Sequence, residues 1–133
     1  MTIFEQICQL CFKCTPNGDT LTDIVEHIYY QMEDGLVRYI VRDEKVVAFA
    51  DYFWLKSHED IKLYEELGMC PDGKVGDILY INNCVVTGKD KSLIWELLKL
   101  RPESESICWK RKNGEIKSWR THYVRTIEKE KTG

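Results

Sequence analysis

The residues most able to do chemistry in this chain lie between Asp77 and Ser92, in the run Asp-Ile-Leu-Tyr-Ile-Asn-Asn-Cys-Val-Val-Thr-Gly-Lys-Asp-Lys-Ser. An apolar strand carries two adjacent amides, Asn82 and Asn83, passes through a Gly/Lys turn, and enters the amphipathic helix Leu-Ile-Trp-Glu-Leu-Leu. A strand that runs into a helix in this way offers backbone N–H groups and the positive end of the helix dipole to an anion. Gly88, Lys89, Lys91 and the Ser92 hydroxyl are the groups that would meet it. Asparagine is depleted in strands, so one of Asn82 and Asn83 faces inward toward partners or a ligand, unless the pair marks a β-bulge. His122 supplies an imidazole, whose ordinary pKa suits a general base near neutral pH.

Two other motifs resemble chemistry on paper. Gly88-Lys-Asp-Lys-Ser92 lacks the Gly-x-x-x-x-Gly-Lys spacing of a nucleotide-binding P-loop. Cys8, Cys11 and Cys14 have the C-x2-C-x2-C spacing of an iron–sulfur site. Cluster ligands of that kind sit on loops, whereas Ile3, Ile7 and Leu10 build a helix around these cysteines, and free cysteine packs well as a small buried residue. No metal is expected.

The rest of the composition bounds the class. A chain of 133 residues fits one domain, 1–133, large enough to bury a core without staples. The formal net charge is -3, yet residues 109–125 hold six basic residues against Glu115 alone. That basic segment is read either as a phosphate-contacting surface or as a soluble hairpin with its charges turned outward. Six cysteines behind an N-terminus with no leader pattern point to a reducing, cytoplasmic setting. No run approaches the ~18 apolar residues that a membrane span needs.

The elements that must position these residues follow from periodicity. Residues 2–14 place Ile3, Ile7, Leu10, Cys11 and Cys14 on one helical face, and Leu21, Ile24, Val25, Ile28 and Tyr29 repeat likewise in a second helix capped by Asp19 or Thr20. The period then changes to two. Leu36–Arg42 and Val46–Leu55 read as antiparallel strands around an Asp43-Glu44-Lys45 turn. A third helix is expected from Ser57 to Gly68, a strand from Asp77 to Val86, a helix over 91–100 closed by Arg101-Pro102, and a strand from Ser106. Asn113-Gly114 predicts a two-residue hairpin turn that returns Glu115 to Tyr123 antiparallel, with Trp109 and Trp119 at nearly facing positions. The fold class is α+β: a single mixed, mainly antiparallel sheet flanked by helices, with one parallel crossover over 77–111.

That order resembles the GNAT superfamily, the GCN5-related N-acetyltransferases. Val37 to Phe53 looks like that superfamily's second and third strands, Ile78 to Val86 like its fourth, and Lys91 to Leu100 like the helix that receives the pyrophosphate of acyl-coenzyme A. The resemblance implies an acyl-CoA N-acyltransferase-like fold with acetyl-coenzyme A or another acyl-coenzyme A as co-substrate. It implies that the backbone amides of Cys84, Val85 and Val86 hold the pantetheine arm and polarise the thioester carbonyl. Thr87 to Ser92 would then wrap the pyrophosphate, and Tyr123 or Tyr80 would protonate the leaving thiolate.

The chain departs from the family at two places. The junction is about two residues short, with Ser92 and Ile94 where the pyrophosphate loop has glycines that let backbone N–H groups close on phosphate. Asn113-Gly114 turns directly into a strand where the family has a helix.

Two functions are therefore carried forward. The first is an acyl-CoA-dependent N-acyltransferase acting on a small-molecule or protein amine, with Asn82, Asn83, His122 and Tyr123 as catalytic candidates. The second is a catalytically inactive acyltransferase-like fold that binds nucleic acid or an acidic partner through the basic hairpin 109–125. A third reading, a structural oligomer, places Phe53-Trp54-Leu55 at an interface.

Overall fold

The first hairpin is set by two residues with left-handed backbones. Asp43 and Glu44 have φ of 52° and 65°, as a two-residue turn matched to strand twist requires. β1 (Val37–Arg42) and β2 (Lys45–Leu55) pair antiparallel on either side of it, so Lys45 belongs to the strand rather than to the turn. The register shifts between Ile40↔Ala48 and Val41↔Val46, which leaves Val47 as the extra residue of a bulge. Because side chains alternate along a strand, the bulge turns Val46 to the same face as Phe49. Both then join one core cluster.

In this computed structural model the described residues are 1–14, 20–57, 59–60, 76–88, 90–110 and 116–120. Besides β1 and β2 they form α1 (Ile3–Cys14), α2 (Leu21–Glu33), β3 (Ile78–Val86), α3 (Ser92–Leu100), β4 (Ser106–Lys110) and β5 (Ile116–Arg120). The strands lie in the order β1-β2-β3-β4-β5, with β3 and β4 parallel and β4 and β5 antiparallel. This is the mixed α+β architecture expected from the sequence. The helix expected over 57–68 falls mostly outside the described residues, as does the Asn113-Gly114 turn.

Contacts divide the chain into two compact units, Met1–Asp51 with Asn83–Arg101, and Tyr52–Asn82 with Pro102–Gly133. In the first unit, Ile7, Cys8 and Cys11 of α1 and Ile24 and Ile28 of α2 close over Val37, Val46 and Phe49. α2 begins at Thr20, whose hydroxyl accepts from Asp23 N–H. It ends in a Schellman motif: Gly35 takes φ +71°, its N–H donates to Met32 O, and Leu36 N–H donates to Gln31 O at 2.8 Å. Arg38 then donates to Gly35 O at 2.7 Å and to Leu100 O at 2.9 Å, placing a cation at the C-termini of both α2 and α3.

The helical faces differ from the periodicity reading at a few positions. Cys14, Leu21 and Tyr29 are exposed, while Cys8 and Gln31 are buried. The rest of each expected stripe packs as read, with Ile7, Cys11, Ile24 and Ile28 in the core and Ile3, Leu10 and Val25 against it.

In the second unit, Phe53, Leu55, Ile78, Tyr80 and Cys108 form a cluster. Burial pushes the Cys108 thiol up to about 12. Phe53 and Leu55 are thus core residues, not an exposed interface, since β2 is covered on both faces over most of its length. The β4–β5 register sets Trp119 against Ile107 and Trp109 against Lys117, so the two tryptophans are offset by two residues instead of facing each other.

Candidate functional site

β3 outruns its parallel partner. Its register with β4 covers Ile78↔Ser106 to Ile81↔Trp109, and the strand continues through Asn82, Asn83, Cys84, Val85 and Val86. The described β3–β4 pairs end at Ile81↔Trp109, and residues 111–115, which follow β4, lie outside the described residues. Cys84–Val86 lie beyond the described part of that ladder. Asn82, Asn83, Val85 and Val86 are half-buried and Cys84 is exposed. Protein around Cys84 still desolvates its thiolate and raises the thiol above its ordinary value of 9.0. The raised value leaves Cys84 protonated near neutral pH.

The strand is tied to the β2 bulge where it ends. Thr87 donates to Val47 O twice, from its backbone N–H at 2.9 Å and from its hydroxyl at 3.0 Å. Gly88 follows with φ +71°, a conformation that favours glycine, and is exposed.

At the start of α3, Asp90 accepts from the Ser92 backbone N–H at 3.0 Å and from the Ser92 hydroxyl at 2.5 Å. Those two bonds, with Arg42 beside it, hold the Asp90 carboxyl below its ordinary 3.8. Arg42 in turn takes both oxygens of Glu96 at 2.8 Å. The helix N-terminus that the sequence offers to phosphate is therefore already met by a carboxylate from the chain itself.

A polar cluster that the sequence reading passed over lies in the same unit. Asp51 of β2 is fully buried. Its Oδ2 bonds Nε2 of His27, and Gln31 Nε2 donates to the same oxygen at 3.5 Å. His27 and Gln31 are four apart on α2, on the face that also carries Ile24 and Ile28. The His27 side chain is 32% exposed and that of Asp51 is 0% exposed. A carboxyl group taken out of water needs polar partners, and α2 supplies two. The signal was present in the sequence as one Asp inside the apolar run from Val46 to Leu55. Its meaning depended on which helix came to lie over it.

Of the other sequence-predicted groups, Lys91 and Ser92 are exposed at the start of α3. Lys89, His122 and Tyr123 lie outside the described residues, as does most of the basic segment 109–125. Tyr80, the second tyrosine considered as an acid, is buried in the second unit. Among the described residues, no group of three or more His, Cys, Asp or Glu side chains could hold a metal ion, and no helix is long and apolar enough to cross a membrane.

No family model matches the sequence, and no curated protein matches it. Among solved structures, the chain is similar to a GphF GNAT-like decarboxylase in complex with isobutyryl-CoA, at 14% sequence identity and a TM-score of 0.53. The fold is GNAT-like. The match covers 80% of this chain and 60% of that one, so the chain spans well under two-thirds of the solved relative.

Proposed function

We propose that this protein binds an acyl-coenzyme A along the end of β3 and transfers its acyl group to an amine. The observation that carries the reading is the run of β3 from Asn82 to Val86 past the last described β4 pair. Backbone N–H groups there are fixed in direction by the strand, cost nothing to reorganise, and can stabilise negative charge as it develops on a thioester oxygen. The pantetheine arm would take the place that a neighbouring strand takes elsewhere in the sheet. Support also comes from the acyl-coenzyme A present in the GNAT-like neighbour.

Phosphate recognition is where this chain would differ. Gly88, Lys89 and Lys91 are the donors and charges near the start of α3, and Asp90 opposes them. Pyrophosphate would either draw Ser92 away from Asp90 or lie further along the lysines, so its contribution to affinity is smaller and more salt-dependent than a glycine-lined loop would give.

Calorimetric titration with coenzyme A, acetyl-coenzyme A and isobutyryl-coenzyme A tests the binding. The acyl forms are expected to bind with Kd below ~1 mM, an affinity of about 4 kcal/mol. No heat and no thermal shift at that concentration would overturn the reading. Release of free thiol from acetyl-coenzyme A in the presence of hydroxylamine, above the rate without protein, tests the transfer.

A further inference from the structure

The helix that covers the first core cluster leaves two aromatic rings in water. Tyr29 and Tyr30 of α2 are 51% and 64% exposed. The rings are held in place all the same: Tyr29 meets Phe4 of α1 edge-on at a centroid distance of 6.5 Å, and Tyr30 meets Tyr29 in the same manner at 5.5 Å. Edge-to-face packing of this kind sets ring orientation before any partner arrives, so that contact here costs less side-chain entropy than ordering free rings would.

Charge surrounds the rings with one sign. Asp23, Glu26, Tyr30 and Glu33 stand at i, i+3, i+7 and i+10, which puts them along one side of the helix, and all four are exposed. α2 carries no Lys or Arg, and residues 1–35 hold six carboxylates against Lys13 alone. Asp23 is engaged with the cap residue Thr20. Among the described residues, Glu26 and Glu33 enter no ion pair.

We propose that this side of α2 is a docking surface for a Lys- and Arg-bearing segment of a partner protein. A guanidinium or ammonium over a tyrosine face gains the attraction of the ring quadrupole. Glu26 and Glu33, one turn to either side of the tyrosines, add charge-assisted hydrogen bonds. The rings favour a peptide over a free cation, because they give apolar contact to the methylene stems of Lys and Arg. An uncharged apolar partner would strip water from both carboxylates without replacing it, and nucleic acid or an anionic membrane meets its own sign of charge. The inference does not rest on the acyl-transfer reading.

The full chain is titrated against a fluorescein-labelled peptide of alternating Arg, Ser and Lys, read by anisotropy. A Kd of about 10–100 μM is expected at low salt, weakened at least ~5-fold at an ionic strength of ~0.3 M. Tyr29→Ser with Tyr30→Ser keeps the net charge and is expected to weaken binding at least ~5-fold. Glu26→Gln with Glu33→Gln is expected to weaken it ~10-fold or more. Glu103→Gln with Glu105→Gln removes the same charge from another exposed part of the chain, and Kd is expected to stay within about twofold. No binding at ~1 mM chain, unchanged binding in the tyrosine variant, or equal losses from the two glutamate pairs overturns the proposal. If the tyrosine variant loses its cooperative unfolding transition, the two glutamate pairs decide. Sedimentation velocity tests the occupant. The unaltered chain is expected to remain monomeric at low salt, and self-association abolished by Glu26→Gln with Glu33→Gln would make a second copy the occupant and overturn the proposal.

Discussion

The start of α3 and the interior of α2 answer the same electrostatic problem in opposite ways. At α3 an exposed helix N-terminus, rich in groups that could receive an anion, is met by a carboxylate two residues back along its own chain: Asp90 accepts from the Ser92 N–H and hydroxyl. At α2 a carboxylate that is wholly buried on β2 is met from another element, by His27 and Gln31. The first arrangement is local, water-exposed and cheap to change. The second is held by tertiary packing, and its charge has no solvent to fall back on. A motif that reads as functional can be self-satisfied, while a residue that reads as an oddity in a strand can anchor a helix.

Several substitutions break or sharpen that contrast. His27→Leu removes a hydrogen-bonding partner from a buried carboxylate, and the expected loss is about 3 kcal/mol. Urea unfolding with unchanged slope measures it, and a loss below ~1 kcal/mol would mean that Asp51 does not depend on α2. Thr87→Val removes the hydroxyl bond to Val47 O but leaves the backbone bond. A loss of about 1 kcal/mol is expected from the same assay, with looser attachment of the end of β3 and weaker acyl-coenzyme A binding.

Asp90→Asn has the smallest effect on the fold and the most informative effect on ligand. Taking a negative charge away from the helix N-terminus is expected to raise coenzyme A affinity about 2- to 5-fold in calorimetry at low salt. Unchanged affinity would show that phosphate does not approach α3 at all. The pH dependence carries a sign. The Asp90 pKa is lowered in the fold by the Ser92 bonds, so its contribution to stability is present above pH 3.8 and is lost as pH falls through the lower folded value. The acid limb of the stability curve should flatten in Asp90→Asn and leave the neutral region unchanged.

Much of the architecture was legible in the chain. The change from a 3.6 to a 2.0 period at Leu36, the Asp43-Glu44 turn and the Arg101-Pro102 stop are local signals, and β1, β2, β3 and α3 fall where they indicate. Thr20 as the cap of α2 follows from a side chain reaching its own backbone three residues on. The parts that were misread are those in which a neighbour decides. Cys14 and Tyr29 are apolar enough for a core, yet both are exposed. Trp119 sits opposite Ile107 because strand register is settled by both strands together.

Sequence by itself determined the order of elements and the strand-to-helix junction at 77–98, since periodicity, caps and turn residues act over a few positions. Tertiary structure decided the rest: that β3 and β4 pair parallel from Ile78↔Ser106, that Thr87 is tied to Val47, and that Asp51 meets His27 across 24 residues of chain. These are outcomes of long-range packing, where a carboxylate's environment depends on what is brought beside it and not on what precedes it in the chain.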